Sequence, residues 1–228
     1  MKNWYQLTES ETLDKLGVTS EGLSSQQADS LLEKHGKNVL EESKKKSVFQ
    51  VFLSQFADLM VIILIIAAIV SMFSGSVEST IVIFAVITLN AILGTVQHVK
   101  AEKSLESLKS LSSPSAKVIR DGRKIEIDSE NIVPGDIVVL EAGDLVVADG
   151  RIINNYSLQV NESSLTGEST NIDKSVETIE KEVPLADRTD MVFSGSLVTF
   201  GSAIVVVTVT GMNTEIGKIA TLMNQAKS

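Results

Sequence analysis

The stretch VFLSQFADLMVIILIIAAIVSMF at residues 51–73 carries one charge, Asp58, and decides the class of fold. A second stretch, STIVIFAVITLNAILGTVQ at residues 79–97, follows after SGSVE and carries no charge. A helix of about 20 mostly apolar residues spans a bilayer core, and neither stretch has the polar stripe of a surface helix. The two stretches therefore predict an α-helical transmembrane hairpin with a very short outer turn and the lipid bilayer as its partner.

Positive charges flank the predicted hairpin on both sides. A lysine cluster at residues 44–46 precedes it, and Lys100, Lys103 and Lys109 follow it. Because lysine and arginine accumulate on the cytosolic side of membrane helices, both flanks are expected in the cytosol. Residues 1–45 are polar and carry no secretory signal, which also predicts a cytosolic N-terminus.

Two polar residues lie within the predicted membrane helices. A charge at membrane depth costs about 3 kcal/mol to insert, so such residues are often functional. Asp58 lies near the cytosolic end of its stretch, where it most simply meets the membrane interface. Asn90 lies deeper, and an interhelical hydrogen bond is a simpler interpretation than an ion ligand. Neither residue alone predicts a transport site.

Composition and motifs exclude several classes of protein. The net charge of −9, without a concentrated basic surface, argues against a nucleic-acid partner. The absence of cysteine excludes disulfides and a Cys-type zinc site, and His35 and His98 lie too far apart in sequence for metal-ligand spacing. The Gly-x-x-x-x-Gly-Lys, Gly-x-Gly-x-x-Gly and His-Glu-x-x-His motifs are also missing. We therefore expect this chain to bind no metal or cofactor by itself.

Residues 1–46 are predicted to form two short cytosolic helices. Thr8 with Glu11 and Ser24 with Gln27 fit the capping box, in which each side chain satisfies a backbone donor of the other residue. Glycines at positions 17 and 36 occupy the places of C-terminal caps. The second helix is expected to present one packing face, formed by Ala28, Leu31, Leu32 and His35.

The hairpin and its continuation are predicted over residues 47–112. Apolar residues keep a helical spacing beyond the second membrane stretch, at Ala101, Leu105, Leu108 and Leu111. Ser113 and Pro114 end this pattern. The second membrane helix is therefore expected to extend into the cytosol as a stalk.

Residues 113–212 show the alternation and turn signals of short strands. Strands are expected at residues 116–120, 124–127, 137–140, 145–147, 151–153, 157–161, 191–194, 197–199 and 202–210. This spacing predicts a small β-sandwich or jelly roll. The acidic residues 171–190 are expected to form a solvated loop with little structure of its own. Asn213 is expected to cap a last helix within residues 213–228.

The segment Leu165-Thr166-Gly167-Glu168-Ser169 places one carboxylate beside a glycine and between two hydroxyl side chains. Gly167 can adopt a positive φ and lets the backbone approach another surface, and the flanking hydroxyls can hydrogen-bond locally. A glutamate presented in this way can orient a water and take its proton. An exposed loop glutamate without a role is the alternative, and only the surrounding sequence decides between the two.

That surrounding sequence resembles the actuator domain of P-type cation-transporting ATPases. The resemblance rests first on Val160-Asn161-Glu162-Ser163-Ser164-Leu165-Thr166-Gly167-Glu168-Ser169, and four further segments agree in the same order: Val133-Pro134-Gly135-Asp136, Ala148-Asp149-Gly150-Arg151, Met191-Val192-Phe193-Ser194-Gly195-Ser196 and Thr214-Glu215-Ile216-Gly217-Lys218-Ile219-Ala220. It covers nearly the whole chain. Val147 departs from it, because the family usually has proline before Ala-Asp-Gly, which leaves that turn less rigid.

The resemblance implies a mainly-β, distorted jelly-roll actuator domain beside the transmembrane hairpin, and a mechanism. In this family an aspartate elsewhere takes the γ-phosphate of ATP, and the Thr-Gly-Glu-Ser loop then reaches the aspartyl phosphate. By analogy, Glu168 orients and deprotonates the attacking water and Gly167 permits close approach, while Thr166 and Ser169 hold the shape of the loop. The stalk and the segment after Ala220 would transmit actuator rotation to the membrane helices.

The resemblance also implies parts that this sequence does not contain. The phosphorylated Asp-Lys-Thr-Gly-Thr motif, the nucleotide domain and the ion-binding helices are missing, and the sequence stops at Ser228, about where a third membrane helix is expected. ATP and Mg²⁺ are thus expected to serve the full-length protein, and this portion alone is expected to be inactive.

The transported ion is a finer expectation. Phe52-Leu53-Ser54-Gln55-Phe56-Ala57-Asp58 and the two N-terminal helices are similar to the calcium-type branch in its compact bacterial form, which implies a bacterial plasma membrane. The lack of cysteine argues against copper or zinc, while Na⁺, K⁺, H⁺ and Mg²⁺ remain open. A stand-alone, membrane-anchored β domain with a binding or regulatory role is the alternative function.

Overall fold

A computed structural model describes residues 2–40, 46–111 and 114–226. The chain forms two compact units, one from residues 1–41 and 113–228 and one from residues 42–112. Two of the three lysines predicted to flank the hairpin, Lys44 and Lys45, lie outside the described residues, as does Ser113 at the expected end of the stalk.

Residues 42–112 form a helical unit. Its helices are α3 Val48–Gln55, α4 Leu59–Phe73 and α5 Val77–Leu111. The prediction of one continuous helix over residues 51–73 is wrong, because α3 and α4 meet at an angle of 62°. Asp58 explains the break: its carboxylate accepts a hydrogen bond of 2.9 Å from the Met60 N–H and caps α4. An aspartate at this position satisfies a donor that a helix start leaves unpaired.

The helical unit has the length and apolar character of membrane segments. Among the described residues, Val77–Leu105 is long and apolar enough to cross a bilayer, and the bent pair α3 and α4 would provide a second span if it counts as one. Because α5 continues to Leu111, the predicted helical extension is confirmed. Asn90 is exposed and makes no side-chain hydrogen bond within the described part of the chain, so the expected interhelical bond is not found here.

The other unit is built on a seven-stranded antiparallel sheet. Its strands are β1 Ser115–Arg120, β2 Arg123–Asp128, β3 Ile137–Glu141, β4 Asp149–Asn161, β5 Asn171–Asp173, β6 Met191–Val192 and β7 Leu197–Val209. Their order is β2-β1-β3-β7-β4-β5, and β6 also pairs with β4. The mainly-β fold predicted beside the hairpin is confirmed.

The long strands β4 and β7 correct the predicted strand boundaries. Each was expected as two short strands, but register shifts such as the one between Ile152 and Asn154 bend β4 without ending its pairing with β7. A β-bulge inserts a residue and increases the local twist, which the sequence pattern reads as an interruption. The strand expected at 145–147 is wrong, since only an isolated bridge joins Leu145 to Leu197.

The N-terminal helices pack onto this sheet. Helix α1 spans Glu9–Leu16 and α2 spans Ser25–His35, and both predicted capping boxes are present. Leu23 and Ala28 are buried in a cluster with sheet residues that include Val206. His35 is exposed and does not belong to this packing face, contrary to expectation.

The acidic residues 171–190 are more ordered than expected. They contain β5 and a 3₁₀ turn at Leu185–Asp187. The Ile179 N–H donates to the Tyr5 carbonyl at 3.2 Å, so a backbone hydrogen bond joins the acidic segment to the N-terminal segment. Sequence polarity missed this because two of the charged side chains, Lys174 and Asp190, are buried and not solvated.

The last helix, α7, spans Glu215–Ala226. Asn213 was expected to cap it but belongs to a preceding 3₁₀ turn at Gly211–Asn213. The cap is Thr214, whose hydroxyl accepts a hydrogen bond of 3.1 Å from the Gly217 N–H. The threonine hydroxyl therefore supplies the acceptor expected from the asparagine one residue earlier.

Two glycines of the sheet unit, Gly122 in the turn between β1 and β2 and Gly201 within β7, provide a matched test of the packing of β4 against β7. Both Gly201 and Gly122 have positive φ, 73° and 69°, but a Cβ at Gly201 would lie 2.2 Å from the Ser157 carbonyl oxygen, while one at Gly122 would meet nothing within 4 Å. We expect Gly122→Ala to lower the free energy of unfolding by about 1–2 kcal/mol, and Gly201→Ala to lower it by at least about 2 kcal/mol more.

Urea unfolding followed through the fluorescence of Trp4, the only tryptophan, would measure both effects in the unit that contains these glycines. Equal losses for the two variants would contradict the close approach of β4 and β7 at Gly201.

Candidate functional site

The loop between β4 and β5 carries the residues that the sequence singled out. A one-turn helix, α6 Ser163–Thr166, fills its first half and ends at Gly167, which has φ 76° and ψ −3°. The Gly167 N–H donates to the Ser163 carbonyl at 3.0 Å. Left-handed glycine is a common way to end a helix, because other residues are strained there. Gly167 therefore turns the chain so that the following residue leaves the helix.

Glu168 is exposed at the tip of this loop. Its backbone N–H donates to the Thr166 hydroxyl at 3.3 Å, and that hydroxyl donates to the Glu162 carbonyl at 3.1 Å. Within the described part of the chain, the Glu168 carboxylate forms no hydrogen bond or ion pair. The carboxylate is thus presented to solvent by a loop whose backbone is held.

Ser169 contributes to the loop through its backbone. Its backbone carbonyl accepts a hydrogen bond of 3.3 Å from the side-chain amide of Asn161. The Oδ1 atom of the same amide accepts one of 3.1 Å from the Ser163 N–H. The structure therefore brings Thr166, Gly167, Glu168 and Ser169 together on one loop. Their chemical roles stay predictions.

A buried ion pair lies at the base of the loop. The Glu162 carboxylate is 2.5 Å from the Lys174 ammonium, and both side chains are fully buried. Burial raises the pKa of Glu162, and the attraction of Lys174 opposes this incompletely. Burial likewise lowers the pKa of Lys174, against the attraction of Glu162 and Asp190. These two residues bracket the loop in sequence, one before α6 and one after β5.

A second buried ion pair joins the elements around the site. The fully buried Arg151 of β4 lies with its Nε 3.1 Å from Asp190. It also donates to the carbonyls of Leu7 at 3.3 Å and of Val176 at 2.9 Å. Burial raises the pKa of Asp190 to about 6, although Arg151 opposes the shift. One guanidinium therefore ties together the sheet, the N-terminal segment and the acidic segment.

Asp149 fixes the start of α7 to the sheet. Its carboxylate accepts hydrogen bonds of 2.8 Å from the backbone N–H groups of Ser194 and Glu215. Because the group is buried, its pKa is raised to about 6 despite these two donors. The first residue of α7 is thus held directly by β4.

Sequence reasoning found the exposed loop but missed the buried charges beneath it. Asp149, Arg151 and Glu162 appeared in the sequence only as residues of the segments that resemble the family, without a structural role. A charged residue directly before two apolar residues, as Arg151 precedes Ile152 and Ile153, was the available signal, since a buried charge requires a partner. The partner's position in the acidic segment could not be read from spacing.

Metal ligands are not grouped in the described part of the chain. Residues 2–40, 46–111 and 114–226 contain no set of three or more His, Cys, Asp or Glu side chains placed to hold an ion.

Comparison with known proteins identifies two family regions in this chain. Residues 110–224 match the P-type ATPase actuator domain, and residues 4–71 match the N-terminal region of cation transporters and ATPases.

Similar curated proteins come from several bacteria. The chain is 46% identical over 98% of its length to a calcium-transporting ATPase of Listeria monocytogenes. It is 43% identical over 99% of its length to calcium-transporting ATPase 1 of Bacillus cereus, and 44% identical over 98% to that of Lactococcus lactis. The chain spans 26% of the length of each of these relatives.

The raised pKa of Asp149 predicts a specific pH dependence of stability. The folded state holds this proton up to about pH 6, whereas an unfolded aspartate releases it near pH 4. Between these values the folded state binds more protons, so stability falls as pH rises, by up to about 3 kcal/mol from this group.

We expect Asp149→Asn to reduce that fall between pH 4 and pH 6.5 in urea unfolding monitored through Trp4. The readout is the slope of the free energy of unfolding against pH. The absolute stability is not a suitable readout, because the loss of an acceptor for Glu215 or Ser194 lowers it at every pH. Glu177→Gln, at an exposed position, serves as the control and should keep the original slope. An unchanged dependence of stability on pH in Asp149→Asn would contradict the raised pKa of Asp149.

Proposed function

The chain belongs to the P-type cation-transporting ATPases, and from this premise we propose that it is the N-terminal portion of an ATP-driven pump whose Glu168 promotes hydrolysis of an aspartyl phosphate. The observation that carries the proposal is the free, exposed carboxylate of Glu168 on a loop that is held at both ends. A general base must reach its substrate without first breaking strong contacts of its own.

The proposed step takes place when the loop meets a phosphorylated aspartate in a part of the pump that this chain does not span. Glu168 orients a water and accepts its proton as the water oxygen attacks phosphorus. The bond from phosphorus to the aspartate oxygen breaks, the aspartate leaves as a carboxylate, and inorganic phosphate is released. Gly167 leaves the loop surface open, since a Cβ there would meet nothing within 4 Å.

ATP and Mg²⁺ are proposed as cofactors of the whole pump. We propose that both bind in parts of the pump that this chain does not span. The proposed role of the sheet unit is to present the loop with the Glu168 carboxylate free of other contacts.

Movement of the sheet would be transmitted to the membrane through α5 and α7. Helix α5 leads in sequence to β1, and α7 is fixed to β4 by the two hydrogen bonds of Asp149. A rotation of the sheet would therefore carry the start of α7 with it, as in a hinge between rigid bodies. The proposed setting is a bacterial plasma membrane with the sheet in the cytosol, supported by the lysines that follow the second apolar stretch.

Substitution of Glu168 tests the chemistry. In the full-length pump, we expect Glu168→Gln to form the phosphoenzyme from ATP normally and to lose it by hydrolysis about 100-fold more slowly, because the amide cannot accept the proton. The measurement is the decay of radiolabelled phosphoenzyme after a chase with unlabelled ATP. Glu177→Gln, on an exposed part of the acidic segment, should decay at the original rate. Normal decay of the Glu168 variant would remove Glu168 from the mechanism.

Calcium is the proposed transported ion, because the relatives described above are named calcium-transporting ATPases. We expect micromolar Ca²⁺ to stimulate ATP hydrolysis by the full-length protein and to drive uptake of labelled Ca²⁺ into sealed vesicles. Parallel assays with Na⁺, K⁺ and Mg²⁺ provide the comparison. Stimulation and uptake by one of these ions without any response to Ca²⁺ would overturn the ion assignment while leaving the role of Glu168 intact.

A further inference from the structure

The ion pair between Glu162 and Lys174 lies where the chain enters and leaves the loop that carries Glu168. The Glu162 carbonyl accepts hydrogen bonds from the N–H groups of Leu165 at 2.9 Å and of Thr166 at 3.0 Å, so this residue starts α6. Its carboxylate is the group that Lys174 holds at 2.5 Å. The position of α6, and of Gly167 and Glu168 after it, therefore depends on where Glu162 is held.

Lys174 is itself fixed to the sheet through its backbone. Its N–H donates to the Leu158 carbonyl at 2.9 Å, and its carbonyl accepts a hydrogen bond of 2.6 Å from the Asn155 side chain. Its ammonium lies 5.5 Å from the centre of the Phe193 ring. The ion pair thus connects the surface loop to a lysine whose backbone is hydrogen-bonded to the bent middle of β4.

Stability alone is a poor reason for such a pair. Both charges are removed from water, and the cost of burying them commonly equals or exceeds their attraction, so that apolar residues of similar size stabilise a fold equally well. What an apolar pair cannot provide is the attraction between two opposite charges, which holds two chain segments at close distance. The pair is therefore better explained by what it positions than by what it stabilises.

We propose that Glu162 and Lys174 are positioning residues that set the reach of Glu168 toward the phosphorylated partner. This inference rests on the proposed function of Glu168. Neither residue touches the reacting atoms. Their contact fixes the start of α6, and through the hydrogen bond from Thr166 to the Glu162 carbonyl it fixes the backbone that carries the general base.

The test replaces both charges by apolar side chains of similar length. In the full-length pump, Glu162→Met with Lys174→Met should leave the unfolding temperature within about 5 °C of the original. It should slow hydrolysis of the phosphoenzyme by about 10- to 100-fold, since small displacements of a catalytic group have effects of this size. Formation from ATP, and loss on addition of ADP, which reverses phosphoryl transfer without attack by water, should change by less than about twofold.

Two comparison variants separate positioning from general damage. Glu162→Gln keeps an oxygen that can accept from Lys174 and should retain a hydrolysis rate within about threefold of the original. Lys117→Met with Glu141→Met removes an ion pair between β1 and β3, beyond β7 from the loop, and should leave hydrolysis unchanged.

The outcomes are distinguishable. The positioning role is supported if the double Met variant hydrolyses the phosphoenzyme slowly but loses it normally with ADP, and if Glu162→Gln hydrolyses it at nearly the original rate. A normal hydrolysis rate in the folded double variant overturns it, as does an equal slowing of hydrolysis and ADP-driven loss. If Glu168→Gln itself decays normally, the proposed function fails, whereas slow decay in Glu168→Gln with normal decay in the double variant refutes the positioning role alone.

Discussion

The sheet unit depends on the contact between Arg151 and Asp190 for the placement of its N-terminal and acidic segments. This contact brings together segments far apart in sequence: Arg151 lies in β4, Asp190 ends the acidic segment, and the same guanidinium reaches the Leu7 carbonyl. Removing either charge would leave the other buried without a partner, which is far more costly than losing a surface ion pair. The sheet therefore presents its loop from a body whose N-terminal and acidic segments are locked to it.

Three of the buried carboxylates hold different parts of the sheet unit in place. Asp190 closes the body through Arg151, Glu162 holds the base of the loop through Lys174, and Asp149 holds the start of α7 through two backbone donors. The one acidic side chain assigned to chemistry, Glu168, is exposed. Acidic residues that look alike in the sequence thus have opposite environments: three are buried with partners, and the one for which we propose a chemical role is exposed.

The sequence predicted the class of fold and the loop because both depend on local patterns. Apolar length, capping boxes such as Thr8 with Glu11, and a glycine beside a glutamate are visible without tertiary structure. Prediction from the sequence failed for features that depend on individual hydrogen bonds or on contacts between distant segments. The sequence did not predict the break between α3 and α4, where the Asp58 carboxylate caps α4, and the bulges of β4 looked like strand ends. Buried pairs such as Glu162 with Lys174 could not be predicted, because pairing partners across a loop carry no periodicity.

The division of the chain into two units has a consequence for the order in which the sheet unit is completed. The backbone passes between the units twice, because the sheet unit is built from residues 1–41 and 113–228 with the helical unit between them in sequence. Leu23 and Ala28, from the first of these segments, are buried in one cluster with Val206 from the second. Since a chain is synthesised from its N-terminus, the helical unit emerges before this cluster can form.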